Sequence, residues 1–139
     1  MHTKSFIFGT GTSRSGLSLV SNMLSTNKKV LMTTDLIHFF RYIYSKYNPI
    51  NDTKNQSLLV KELCLRLKYR NRISLSSEKI LNNFIKVKSY TDVLNSLNNF
   101  LSSENPGVEI IGESANTEWR NIGKLLEMSK NYKAYQIIS

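Results

Sequence analysis

With 139 residues, 40% of them apolar and 21% charged, the chain is long enough for one domain with its own core and too apolar for intrinsic disorder. A net charge of +9 suits a polyanionic partner, whether nucleic acid, a membrane surface or a highly charged small molecule. A single cysteine excludes an internal disulfide, and two histidines beside it are too few for a structural zinc site, so no metal is expected. No stretch approaches the roughly 18–20 apolar residues of a membrane span, and the opening "SFIF" is too short for a signal sequence. The expectation is a cytoplasmic protein without a membrane span.

In chain order, "SFIFG" reads as a short buried strand running into a loop of glycines, hydroxyl residues and one arginine. From Gly16, Val20, Met23 and Leu24 recur at helical spacing, and "VLMTT" follows as a second strand. Asp35 is placed to cap a helix through Tyr47 that turns Leu36, Phe39, Phe40, Ile43 and Tyr47 inward and stops at "NPIND". Three helical stripes come next. They are Leu59, Val60, Leu63 and Leu67; then Ile80, Leu81, Phe84 and Ile85 behind the cap candidates Ser76 and Ser77; then Val93, Leu94, Leu97, Phe100 and Leu101. After the turn "SSENPG" the period changes. "VEIIGES" reads as a strand, "EWRNIGKLLEMS" as a helix built on Trp119, Ile122, Leu125 and Leu126, and "YKAYQIIS" as a last strand.

This alternation predicts an α/β fold: a P-loop-like parallel sheet with flanking helices, forming one domain over 1–139 with a helical insertion over 35–104. The last strand has no loop after it at the carboxyl edge, where such sheets place ligand groups, so the domain is expected to be truncated at its C-terminus. Cys64, among leucines at helical spacing, reads as a buried, inert thiol.

The loop after the first strand is the most unusual stretch. Gly9, Gly11 and Gly16 let backbone approach a ligand, while Thr12, Ser13, Ser15 and Ser18 offer hydroxyl donors and Arg14 a permanent positive charge. A helix starting there adds its free N–H groups, so the whole is a device for binding an anion. Residues 11–18, "GTSRSGLS", match the spacing of the Walker nucleotide motif, but Leu17 stands where its lysine belongs. The charge has moved to Arg14.

With that charge in place, "FGTGTSRSGLSLVSNML" resembles the phosphosulfate loop of the sulfotransferases that use 3′-phosphoadenosine 5′-phosphosulfate (PAPS). The resemblance implies that Arg14 meets the transferring sulfuryl group and that Gly11, Thr12, Ser13, Ser15, Gly16, Leu17 and Ser18 cradle the phosphosulfate. Leu17 departs from the usual threonine and keeps only its backbone N–H for the task. "IIGESANTEW" resembles a strand of the carbohydrate sulfotransferases ending in Gly-Glu, which makes Glu113 the base; Ser114 replaces the lysine common there. "TTDLIHFFRYIY" resembles a segment carrying substrate-side residues in bacterial members. The resemblance places the family's 3′-phosphate loop after "YKAYQIIS", so these residues alone are expected to bind PAPS weakly and turn over little.

The implied activity is transfer of a sulfuryl group from PAPS to a hydroxyl or amine of a carbohydrate or small molecule. The partners are then a nucleotide cosubstrate and a hydroxyl-bearing acceptor such as a glycan. Two alternatives stay open: a P-loop phosphotransferase using the same loop, and a non-catalytic basic module binding nucleic acid through "KELCLRLKYRNR", residues 61–72. That cluster also reads as a solvated helix face, and no nucleic-acid motif accompanies it, so no nucleic-acid partner is expected. His38 is a second candidate base, although a histidine among aromatics on a helix reads first as core, and Trp119 reads as packing. Glu113 and Ser114 read equally as a connector into a helix capped by Ser114 or Asn116.

Overall fold

The computed structural model describes residues 5–12, 15–34, 38–71, 82, 87–116 and 119–138. Ser13 and Arg14 of the loop, Asp35 and Leu36, and the helix expected over 80–85 with Ser76 and Ser77 lie outside the described residues. The elements are β1 (Ser5–Gly11), α1 (Leu17–Ser25), β2 (Val30–Thr34), a π-helical turn (Phe39–Ile43), α2 (Thr53–Asn71), α3 (Tyr90–Glu104), β3 (Ile110–Asn116), a 3₁₀ turn (Trp119–Asn121), α4 (Ile122–Met128) and β4 (Tyr132–Ile137). They form two compact units, Met1–Asp35 with Leu101–Ser139, and Leu36–Phe100. Among the described residues no helix is long and apolar enough to cross a membrane.

The first unit is an α/β fold with an all-parallel sheet of order β2-β3-β1-β4, flanked by helices in a P-loop-like arrangement. The α1 connection steps from β1 over β3 to β2, whereas the α4 connection steps from β3 over β1 to β4. Right-handed crossovers put these two helices on opposite faces. The directions part at the neighbouring strands β1 and β3, and the crevice beyond their carboxyl ends is where open parallel sheets bind ligands.

Alternation assigns the faces. Phe6, Phe8 and Thr10 are in register with Ile111, Glu113 and Ala115, and all six are buried. On that face Tyr132 packs edge-on against Phe6, with ring centroids 5.6 Å apart. The opposite face carries Gly9, whose register partner is Tyr135, and Gly112 and Ser114. It faces α1: Ser21 Oγ donates to Leu17 O at 3.1 Å and lies 3.4 Å from the Tyr135 hydroxyl.

This contact corrects the expected inner face of α1. Leu17 and Ser21 are buried, while Met23 is 63% exposed. The sheet beneath α1 carries glycines and a tyrosine ring, so a small polar side chain fits where an apolar stripe of Val20, Met23 and Leu24 was expected. Gly9 has a steric reason of its own, because a Cβ there would overlap the Tyr135 ring. Gly9→Ala should therefore lose about 1–3 kcal/mol of stability, and the loss should vanish in a Tyr135→Ala background. Equal falls in melting temperature in both backgrounds would show that the ring is not what excludes the Cβ. On α4 only Leu125 is buried; Trp119 and Leu126, expected to pack, are 45% and 46% exposed.

The second unit departs further from expectation. In place of a helix through Tyr47, only a π-helical turn over Phe39–Ile43 forms, flanked by His38 at φ 50° and Ser45 at φ 59°. Phe39, Phe40 and Ile43 turn inward as expected, but Tyr44 is extended and packs on Tyr90, with centroids 5.3 Å apart. The Tyr90 hydroxyl accepts the Tyr47 N–H at 2.9 Å. Burial raises the phenol pKa of both Tyr47 and Tyr90. Asp52, read as part of a stop, instead starts α2 by accepting the N–H groups of Lys54 and Asn55 at 2.7 and 3.3 Å.

The α2 stripe Leu59, Val60, Leu63 and Leu67 is fully buried. Helix α3 opens on a reciprocal capping box: Ser89 Oγ accepts the Asp92 N–H at 3.2 Å, and Asp92 Oδ2 accepts the Ser89 N–H at 3.1 Å. One residue of α3 is costly. Asn98 is buried, and neither atom of its carboxamide has a hydrogen-bond partner. Asn98→Leu removes that penalty at similar volume and should stabilise the protein by about 1 kcal/mol, raising the melting temperature by about 2–4 °C. A lower melting temperature would mean that the amide is satisfied in solution.

Candidate functional site

β1 ends at Gly11, and Thr12 O accepts the Ser15 N–H at 3.1 Å. Gly16 follows at φ 90°, ψ 13°, a left-handed conformation in which a side chain would be strained, and it stands as the N-cap of α1. The first intrahelical bond runs from Val20 N–H to Gly16 O at 3.1 Å, so the N–H groups of Leu17, Ser18 and Leu19 precede the ladder. Gly16 has no side chain to cap them, the helix shows no side-chain cap among the described residues, and no acidic residue stands in the first turn. The helix therefore presents free donors and about half a positive charge.

These donors open onto a cleft of about 240 Å³ lined by Ser15, Gly16, Leu17, Ser18 and Asn116. It lies at the carboxyl edge of β1 and β3, the switch point identified from the strand order. Ser15 Oγ is buried without a hydrogen-bond partner, whereas Ser18 is exposed. The Leu17 side chain is only 5% exposed, so the position that holds a phosphate-gripping lysine in Walker loops is committed to the core.

The structure thus brings together four of the expected residues, Ser15, Gly16, Leu17 and Ser18. Gly11 is buried at the end of β1 in register with Asn116, and Thr12 is exposed. Ser13 and Arg14 lie outside the described residues. Glu113 is in β3, 4% exposed, on the Phe8–Thr10 face, and does not line the cleft. It precedes Asn116 by three residues, about 10 Å of strand, and alternation turns it to the opposite face. Asn116, which the sequence reading weighed only as a helix cap, lines the cleft. Its signal was the polar end of "GESAN" beside a strand that pairs with β1.

His38 belongs to the second unit, buried, with its ring edge-on to Tyr42 at a centroid distance of 5.8 Å. The basic cluster is mixed. Lys61 and Lys68 are exposed, but Arg66 bonds Glu62 at 2.6 Å and stacks 3.5 Å from the Tyr42 ring centroid. Cys64 is half-buried rather than buried, and burial pushes its thiol pKa up, against nucleophilic use.

No family model, curated protein or solved structure matches this chain.

Proposed function

We propose that the chain is the donor-binding part of a PAPS-dependent sulfotransferase, acting on a hydroxyl or amine of a carbohydrate or small molecule. The observation that carries this reading is the uncapped start of α1, with Gly16 left-handed, opening onto the cleft at the carboxyl edge of β1 and β3. The anionic end of PAPS fits these residues. Leu17 and Ser18 offer backbone N–H groups, Ser18 a hydroxyl, and Ser15 a buried hydroxyl lacking a protein partner.

When bound, PAPS supplies the activated sulfuryl group and leaves as 3′,5′-ADP. The chain's residues then have three tasks. The α1 amides and Ser18 hold the phosphosulfate oxygens. Arg14 offsets the charge that grows on the bridging oxygen. Glu113 takes the acceptor's proton as the new bond to sulfur forms. Glu113 lies on the opposite face of β3 from the cleft, so its role as base rests on the resemblance and is tested by Glu113→Gln.

The nearest competitor is nucleotide-dependent phosphoryl transfer, against which the buried Leu17 counts, because no ammonium group stands at that position. Isothermal titration separates the two. On the proposed function 3′,5′-ADP binds more tightly than ATP with magnesium; the reverse order would replace it with phosphotransfer.

A further inference from the structure

We infer that Asn116 is a substrate-contacting residue of this cradle, its carboxamide donating to an oxygen of the bound phosphosulfate. The inference rests on the function proposed above. Asn116 ends β3 in register with Gly11, the last residue of β1, and its side chain is exposed. Of the residues described as lining the cleft, it alone comes from outside the β1–α1 segment. The loop closes down on its own strand: a Cβ added to Gly11 would stand 2.6 Å from Ser15 Oγ. The end of β3 therefore supplies the part of the cleft wall that the β1–α1 segment does not.

The chemistry of that wall is specific. The loop side offers hydroxyls and backbone N–H groups, and Leu17 contributes no polar side-chain atom. A carboxamide adds two N–H donors in a fixed plane, plus an acceptor oxygen, without adding charge. A carboxylate of the same shape would present only acceptors to an anion and repel it. Asparagine against aspartate at this position is thus a direct reading of whether an oxyanion sits there.

The experiment is equilibrium titration of PAPS, and separately of inorganic pyrophosphate, into the wild-type protein, Asn116→Ala and Asn116→Asp. Thermal unfolding of each variant serves as the control, so that a change in stability is separated from a change in binding. Asn116→Ala should weaken PAPS binding about 10-fold, the loss of one hydrogen bond to a charged group. Asn116→Asp should weaken it by a further ~10-fold, part of which returns at high ionic strength. Unchanged PAPS affinity in both variants, with the wild type still preferring PAPS over pyrophosphate, overturns the role of Asn116 and leaves the sulfotransferase reading standing. Asn116-dependent binding without that preference does the opposite. Failure of the wild type to bind either probe overturns both.

Discussion

Glu113→Gln should slow sulfuryl transfer by about 10²–10⁴, the usual contribution of a positioned general base, while leaving the affinity for 3′,5′-ADP unchanged. The readout is labelled sulfate leaving PAPS, to water where no acceptor is supplied. Glutamine keeps the shape of the side chain and removes only its capacity to take a proton, so a rate effect without a binding effect isolates the chemistry. The position makes the test sharp. Glu113 is buried in β3, between Phe8 of β1 and Thr33 of β2 in register, and away from the cleft residues. A purely architectural carboxyl at that site predicts the contrary pattern: a changed melting temperature with the transfer rate intact.

Arg14→Ala should cost about 10²–10³ in the same rate, the scale on which loss of one donor to a developing oxyanion is felt. Arg14→Lys should recover part of it, since lysine restores the charge but not the planar fork. Binding of 3′,5′-ADP should suffer less than turnover, because the charge that Arg14 meets grows only as the bridging bond breaks. Equal losses in nucleotide affinity and rate for Arg14→Ala would mean that the guanidinium serves ground-state binding alone.

The sheet was readable in the sequence because its strands are short segments rich in aromatic and β-branched residues. "SFIFG", "VLMTT" and "YKAYQI" each announce themselves by local composition. Their order was not readable, because placing β3 between β2 and β1 depends on pairings some eighty to a hundred residues apart in sequence. The same non-locality hid Asn116: only the register with Gly11 brings it to the loop.

Helix periodicity failed where the surface underneath was unusual. α1 lies over Gly9 and Tyr135, so Ser21 is inward and Met23 outward, against the apolar pattern. Between residues 39 and 47 the aromatics satisfied a helical spacing, yet Tyr44 leaves the helical conformation to pack on Tyr90. The capping box of α3 was present as "SYTD" and is a local signal. The glycine at the helix start was legible, since glycine freedom and a helix start are both local properties. Whether Glu113 faces the cradle was not, because facing depends on strand alternation counted from the end of β3.

The central claim is that the start of α1 holds the inner end of a sulfonated nucleotide. The most direct measurement is the backbone amide spectrum of the protein during titration with 3′,5′-ADP, whose 5′-phosphate occupies the position of the phosphosulfate's inner phosphorus. The account predicts saturable shifts centred on the amides of Gly16, Leu17 and Ser18, with smaller shifts for ATP and magnesium at equal concentration. Saturable binding that leaves those three amides unmoved would contradict it.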